Sequence, residues 1–158
     1  ILEFPSGLEC RKNESGLVDL NDFNIPLYGI DLETTDGIPS EAIRLSDLFN
    51  QADGFVVSLA EHNGSYTAAF KNVFDWLSRI NSKVWNNKPM LLMATSSGAR
   101  GGMGVLQSAK DRFPQMGANL IADFSLPSFF DNFTENDISN KELKIDLSDK
   151  INKFKIEI

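Results

Sequence analysis

The sequence predicts a three-layer α/β fold, in which a parallel sheet of five strands is covered by helices on both faces. Short continuous apolar runs recur along the chain, and segments with helical periodicity alternate with them. Runs without polar alternation are typical of strands buried on both sides, and such strands belong to parallel sheets. The length of 158 residues suits one compact core, so we expect a single domain over residues 1–158.

Three apolar runs are predicted to be strands in the second part of the chain. They are residues 55–59, residues 90–94, and a run that begins at residue 120 and continues to 126. Each run is too apolar to leave one face in water. Residues 1–4 and 17–20 are predicted to be the two earlier strands, although the segment between them is near the lower limit of about 10–12 residues for a βαβ crossover.

Four segments have the spacing of apolar residues that is typical of helices. Residues 40–50 form the first, behind Pro39, which is a favourable helix start. The other three are identified by Ala69, Val73, Leu77 and Ile80, by Val105, Ala109 and Phe113, and by Leu143, Leu147, Ile151, Phe154 and Ile158. From residue 39 onward the predicted order is therefore helix and strand in alternation.

The charge composition of the chain disfavours two classes of binding partner. Fifteen basic residues against 22 acidic ones give a net charge of −7, and the basic residues are scattered singly. This distribution argues against nucleic acid and against an anionic membrane surface. The single cysteine, Cys10, cannot form an intramolecular disulfide, and no secretory leader is recognisable, so we expect a cytoplasmic protein.

No metal site is predicted. One histidine is too few for an HExxH motif or a multi-histidine cluster. The stretch "DLETTDG" resembles a calcium loop superficially, but Ala42 occupies the twelfth position, where a bidentate glutamate belongs.

Two loops of small and polar residues follow successive predicted strands. The first contains Glu61, His62, Asn63, Gly64 and Ser65, and the second contains Ser97, Gly98, Ala99, Arg100, Gly101 and Gly102. The carboxyl ends of parallel strands meet at one edge of a sheet, and ligands bind there in open α/β folds. A flavodoxin-like strand order, 2-1-3-4-5, would place FMN at this edge. The alternative is that both loops are ordinary surface turns.

The chain resembles the NADPH-dependent FMN reductase family over about residues 39–133. "EHNGS" is similar to the family's PEYNGS loop, "FKNVFDW" to its LKNxxDW helix, and "SSGARGG" to its SGGRGG loop. The chain departs from these motifs where Ala60 replaces proline, His62 tyrosine, Phe70 leucine and Ala99 glycine.

The resemblance implies an FMN cofactor, NAD(P)H as co-substrate, and hydride passage through flavin N5 to a small acceptor such as a quinone or free flavin. It implies that the eleven residues of the two loops, 61–65 and 97–102, contact the cofactor, and that the protein forms a homodimer or homotetramer. The family's phosphate loop, of the type GSxRxxSxN, has no match after Phe4, where the sequence reads "PSGLECRKNES". We expect this loop to be missing or unresolved.

Two other functions remain open. The protein could be a binding or interaction protein that kept the fold and lost FMN, or a flavodoxin-type electron carrier. A carrier is expected to shield the flavin with aromatic rings, and neither loop supplies one before Tyr66.

Several residues near the loops have a structural interpretation beside the functional one. His62 could be a solvated loop residue, and Arg100 a surface cation. We expect Trp76 in the core or a subunit interface, Met103 and Met116 in packing contacts, and Lys71 and Asp75 in an i,i+4 pair.

Overall fold

The computed structural model describes residues 16–158, and its main feature is a sheet in which three neighbouring strands run parallel. The sheet has four strands in the order β2-β1-β3-β4. They are β1 (Phe55–His62), β2 (Ser65–Tyr66), β3 (Pro89–Thr95) and β4 (Asn119–Leu126). Strands β1, β3 and β4 pair in parallel, which confirms the three predicted strands of the second part, while β2 pairs antiparallel with the end of β1.

Helices cover both faces of this sheet, as the periodicity predicts. The four predicted helices are α2 (Ser40–Gln51), α3 (Ala68–Ile80), α4 (Met103–Arg112) and α6 (Lys141–Ile156). Short elements complete the described residues: α1 (Ile30–Asp36), α5 (Phe129–Asn132), the hairpin strands β5 (Phe133–Thr134) and β6 (Asp137–Ile138), and 3-10 turns at Leu20–Asp22 and Pro114–Met116. The stretch that resembles a calcium loop is thus α1, which ends at Gly37 with a left-handed φ of 78°.

The core has two parts because side chains alternate across β3. Met90, Leu92 and Ala94 pack with residues of α2, α3 and α4 on one face. Leu91 and Met93 pack with β4 and α6 on the other. All of these β3 side chains are buried, which confirms the prediction of a strand covered on both sides.

The same prediction is wrong for β1. Phe55 and Leu59 are buried, but Val56, on the opposite face, is 49% exposed, and Ser58 and Ala60 beside it are exposed too. The reason is that α6 packs over β3 and β4 and leaves this face of β1 uncovered.

The prediction of five parallel strands is not met within residues 16–158. Residues 17–20 form no strand: they are extended and then enter the 3-10 turn at Leu20–Asp22. In the order 2-1-3-4-5 the second strand, predicted at residues 17–20, has the first strand as its only neighbour. The first strand is predicted at residues 1–4, which lie outside the described residues. An apolar run of this length adopts the strand conformation only where a neighbour accepts its backbone hydrogen bonds.

Side chains of α3 form hydrogen bonds to the backbone of the segment that precedes α1. Asn72 accepts a hydrogen bond from the backbone N–H of Tyr28 at 2.7 Å and donates to the carbonyl of Pro26 at 3.0 Å. Trp76 is fully buried, and its indole N–H donates to the same carbonyl at 2.8 Å. The asparagine and tryptophan of "FKNVFDW" therefore hold this segment on the protein surface, and Trp76 is core, as predicted.

Some of the remaining packing predictions are confirmed and others are wrong. Lys71 and Asp75 form the predicted pair at 2.6 Å, and Met116 is buried. Met103 is 58% exposed and does not pack, because it begins α4 on the solvent side. The C-terminal helix packs through Leu143, Leu147, Ile151 and Phe154 as predicted, but it ends at Ile156, and Ile158 lies beyond it, against Gly54.

Tyr66 carries a buried hydroxyl group without a hydrogen-bond partner among the described residues. Its ring lies against Phe70 and Phe113, with centroids at 5.4 and 6.2 Å. Burial raises the pKa of Tyr66 to about 12, since the phenolate would lose its hydration. Between pH 10.0 and about pH 12 the folded protein therefore keeps the phenol proton of Tyr66, whereas the unfolded chain releases it.

Tyr66→Phe is expected to stabilise the protein at neutral pH by about 1 kcal/mol, because it removes an unsatisfied polar group. With native Tyr66, the protein loses stability as the pH rises from the ordinary tyrosine pKa of 10.0 toward about 12, because the unfolded chain releases this proton first, and the variant lacks this alkaline loss. Chemical unfolding between neutral pH and pH 12 measures both effects. Tyr28→Phe is the control, since the Tyr28 hydroxyl donates to Glu33 at 2.9 Å. Destabilisation by Tyr66→Phe at neutral pH would contradict the expectation.

Candidate functional site

The first predicted loop is a tight hairpin at the carboxyl end of β1. His62 pairs with Ser65 across the hairpin, which leaves Asn63 and Gly64 as a two-residue turn. Both turn residues have positive φ, 52° and 76°, so the turn is of type I′, the type for which an Asn-Gly pair is favoured. His62, Asn63, Gly64 and Ser65 are exposed, so the hairpin presents them to solvent beside the sheet edge.

Glu61 joins the first loop to the helix behind the second. Its carboxylate accepts a hydrogen bond from the backbone N–H of Val105 at 2.8 Å, within the first turn of α4. A negative charge is favourable at a helix N-terminus, where backbone N–H groups lack partners. The contact is close: a Cβ atom on Gly104 would lie 2.7 Å from this carboxylate and 2.9 Å from the carbonyl oxygen of Gly64. The two loops therefore lie side by side, as predicted, and Glu61 acts as a brace between them.

The second loop turns through two buried left-handed glycines, of which Gly101 lies against the end of β4 and Gly102 against the end of β3. Gly101 and Gly102 have φ of 57° and 75°. The hydroxyl of Ser125 on β4 donates to the carbonyl of Gly101 at 2.9 Å, and the N–H of Gly102 donates to the hydroxyl of Ser96 at 3.1 Å. These bonds fix the path of the chain from β3 into α4.

The outer part of the second loop is exposed and offers unused hydrogen-bond donors. Ser97, Gly98, Ala99 and Arg100 are exposed, and their backbone N–H groups have no acceptor within residues 16–158. The guanidinium of Arg100 likewise makes none of the ion pairs found in this part of the chain. A row of N–H donors on small residues, next to a cation, suits a flat ligand with acceptor atoms along one edge.

A third segment borders the second loop on its other side. After β4, Ser128 adopts a left-handed conformation with φ of 45°, and its N–H donates to the carbonyl of Gly98 at 2.9 Å. The N–H of Phe129 donates to the carbonyl of Ser96 at 3.0 Å. The edge of the sheet thus carries three adjoining segments, from β1, β3 and β4, with the Ser97–Arg100 stretch in the middle.

The structure assigns the eleven predicted residues to two groups. Glu61, Gly101 and Gly102 shape the loops from inside, and the other eight present exposed atoms at the sheet edge. The sequence prediction missed Ser96, Gly104 and Ser125, which hold the loops together. Ser96 and Gly104 carried a signal, since both stand in the stretch "TSSGARGGMG", whereas Ser125 becomes relevant only through the pairing of β3 with β4.

Most of the candidate site residues lie exposed at the edge of the sheet. A cleft of about 250 Å³ lies elsewhere, between α3 and the end of α4, where Tyr66, Lys71, Phe74, Asp75, Ser78, Arg112 and Met116 line it. No cluster of three or more metal-ligating side chains occurs within residues 16–158, and no helix there is long and apolar enough to span a bilayer.

The site fits the ring of a flavin and, within the described residues, not its phosphate. The pyrimidine edge of a flavin carries carbonyl and ring-nitrogen acceptors, which match the free N–H groups at Ser97–Arg100. The Val105 N–H in the first turn of α4, a usual place for a phosphate, is already bonded to Glu61. A phosphate would therefore need groups beyond these two loops.

A three-layer α/β fold with small-residue loops at the carboxyl ends of its parallel strands is the architecture of the doubly wound nucleotide- and flavin-binding folds, which include the flavodoxin-like class. The family profile described as NADPH-dependent FMN reductase matches residues 6–131. The chain belongs to this family, which confirms the resemblance found in its loops.

Relatives with assigned names agree with this family. A quinone reductase of Escherichia coli is 38% identical over 79 residues, which cover 50% of this chain and 42% of that protein. An NADPH azoreductase of a Bacillus species is 33% identical over 109 residues, covering 68% and 58% of the two chains. The chain thus spans about half the length of the curated relatives it matches.

A solved structure confirms the fold. FerB, a flavoenzyme NAD(P)H:(acceptor) oxidoreductase from Paracoccus denitrificans, superposes with a TM-score of 0.68 at 21% identity. The match covers 91% of this chain and 81% of that one.

Proposed function

We propose that the protein is an FMN-dependent NAD(P)H oxidoreductase that reduces a small acceptor. The observation that carries the proposal is the row of unpaired N–H donors at Ser97–Arg100, held by bonds from Ser128 and Phe129 at the same sheet edge as the β1 hairpin, in a chain of the FMN reductase family. Bound FMN would supply the redox chemistry, accepting hydride at N5 from the nicotinamide and passing two electrons to the acceptor.

The protein's own residues bind and orient in this proposal. The N–H groups of Ser97–Arg100 would bond the pyrimidine edge of the ring, and the exposed Asn63, Gly64 and Ser65 would border it from the hairpin. Glu61 and Ser125 would not bond the ring themselves; their hydrogen bonds to Val105 and Gly101 fix the two loops in the absence of the cofactor. Preorganised donors avoid the cost of ordering flexible loops upon binding. Small side chains on both loops leave room for a second flat ring, from the nicotinamide or the acceptor.

The acceptor class is proposed from the relatives. The names of similar proteins include quinone reductase, NADPH azoreductase and NADPH:quinone oxidoreductase. Quinones and azo dyes are flat conjugated molecules that take up two electrons and two protons. We propose a quinone as the natural class, a cytoplasmic location, and a homodimer or homotetramer as the assembly.

The fold of the complete protein is proposed to follow the order 2-1-3-4-5. Strands β1, β3 and β4 would then be the third, fourth and fifth strands. Beyond β2, which pairs only at Glu61 and His62, the outer edge of β1 has no partner strand within residues 16–158. A first strand along this edge would also give residues 17–20 a partner.

Titration of the flavin-free chain with FMN tests the proposal. We expect the flavin absorbance to change and its fluorescence to alter as a complex forms, and NADPH oxidation to follow when a quinone is added. A chain that neither binds FMN nor oxidises NADPH in its presence would support the second candidate, a fold that lost its flavin, which the unmatched phosphate loop favours. Binding of FMN without NADPH oxidation would instead indicate an electron carrier.

Asn63→Ala combined with Ser65→Ala is expected to weaken FMN binding by about fivefold to 150-fold, since each of the two lost hydrogen bonds removes about 0.5–1.5 kcal/mol. Thr35→Ala is a control, because Thr35 lies on α1 and its hydroxyl bonds only the carbonyl of Asp31, at 2.9 Å. Equal FMN affinity in the double variant and the native chain would show that the hairpin is only structural.

A further inference from the structure

The turn after β4 carries an exposed aromatic ring beside the candidate site. Phe130 is 78% exposed and is the one exposed phenylalanine within residues 16–158. Its ring meets that of Phe129 edge-on, with centroids at 5.5 Å and planes at 82°. Phe129 in turn stacks on Phe133, with centroids at 5.0 Å. Phe130 is therefore the outermost ring of a small aromatic cluster.

The turn that holds this cluster is bonded directly to the second loop. The two N–H groups that precede Phe130, of Ser128 and Phe129, donate to Gly98 and Ser96. The side-chain amide of Asn132 donates to the carbonyl of Pro127 at 2.9 Å and closes the turn from the other end. Phe130 consequently has a fixed place relative to the row of free N–H groups.

The backbone of Ser128, at the start of this turn, has an energetically unfavourable conformation. Ser128 has φ of 45° and ψ of 60°, a left-handed conformation that costs a non-glycine residue about 1–2 kcal/mol. Left-handed residues other than glycine occur in tight turns, as at Asn86 and Asn87, and also at ligand sites. Here the strained residue is the one that joins the Phe130 turn to the Gly98 loop.

The geometry points to Phe130 as an acceptor-positioning residue that contacts flat, conjugated acceptors at the edge of the site. Residues 60–65 and 95–104 contain no phenylalanine, tyrosine or tryptophan, so Phe130 supplies the aromatic surface that these loops lack. A quinone ring gains offset or edge-to-face contact with such a phenyl group, worth about 0.5–1.5 kcal/mol. A compact, highly charged oxidant gains nothing from it. The inference rests on the proposed function, since it names the residue that selects the acceptor.

Binding to the flavin-free chain provides a test that does not need activity. Addition of 2-methyl-1,4-naphthoquinone is expected to shift the amide resonances of Gly98, Ser128 and Asp131. Phe130→Ala is expected to weaken this binding about twofold to tenfold, and Phe130→Leu should restore only part of it, because leucine keeps apolar area without a planar face. Ile145→Ala is the matched control, since Ile145 is an exposed apolar residue on α6, 62% accessible. Shifts confined to other residues, or equal affinity in Phe130→Ala, would overturn the inference.

Steady-state kinetics with two acceptors provide the second test. In the FMN-loaded chain, Phe130→Ala is expected to raise KM for the naphthoquinone about twofold to tenfold, with FMN affinity and KM for ferricyanide unchanged. A parallel rise for both acceptors would overturn the positioning role. A native chain that fails to bind FMN contradicts the proposed function instead, and the naphthoquinone titration of the flavin-free chain still decides the role of Phe130.

Discussion

Gly101→Ala is expected to destabilise the protein by about 3 kcal/mol and to weaken FMN binding at least tenfold. A Cβ atom at this position would clash with the hydroxyl oxygen of Ser125 and would lie 2.8 Å from the backbone nitrogen of Pro127 and 2.9 Å from the carbonyl carbon of Leu126. Two of these atoms belong to backbone and cannot rotate away. The φ of 57° adds about 1–2 kcal/mol for a residue with a side chain, and overpacking adds about 1–3 kcal/mol.

Two glycines of the same loops are matched controls for Gly101. A Cβ atom at Gly98 meets nothing within 4 Å, and its φ is not left-handed, so Gly98→Ala should change stability little. Gly64→Ala adds only the strain of its φ of 76°, again in open space. Urea unfolding and FMN titration of the three variants measure the effects. If Gly101→Ala were no more destabilising than Gly64→Ala, the close packing of the second loop against β4 would be wrong.

Trp76→Ala is expected to lower the free energy of unfolding by about 3–5 kcal/mol. The side chain is fully buried, its ring meets Tyr28 edge-on at 5.0 Å, and its N–H bonds the carbonyl of Pro26. Its loss leaves a cavity under the segment that precedes α1, and the Pro26 carbonyl then keeps only the hydrogen bond from Asn72. We expect the backbone N–H of Tyr28, which donates to Asn72, to exchange faster with solvent as this segment detaches.

Trp76→Phe separates the two contributions, because it keeps most of the apolar volume and removes the hydrogen bond. Asp75→Ala is the neighbouring control: among the described residues its carboxylate pairs only with the exposed Lys71, and such pairs contribute about 0.3–0.5 kcal/mol. Unfolding experiments and amide exchange distinguish the variants. A Trp76→Ala variant as stable as Asp75→Ala would show that the preceding segment is not held by α3.

Elements that depend on local pattern were predictable from the sequence. The run at residues 90–94 has no polar position, and β3 is buried on both faces. The spacing of Val73 and Leu77 identifies the face of α3 that packs on the sheet. The two loops follow predicted parallel strands, and since such strands end at one edge, their juxtaposition followed as well.

Other features depended on neighbours that are distant in sequence. Val56 belongs to a continuous apolar run, yet it is half exposed, because burial of that face requires a covering helix, which α6 provides for β3 and β4 instead. Residues 17–20 have strand-like composition, but a strand requires a partner for its backbone, and residues 16–158 contain none for it.

By itself, the sequence determined the three parallel strands, the helices between them, the family, and the two loops that form the candidate site. Those features follow from periodicity and short motifs, which are local properties of the chain. The tertiary structure alone decided that Glu61 braces α4, that Ser125 fixes Gly101, and that Phe130 lies next to the loop of Gly98. Each of these features depends on hydrogen bonds between residues that are 24 or more positions apart in the sequence. Such bonds form only when the pairing of the strands has brought the loops together.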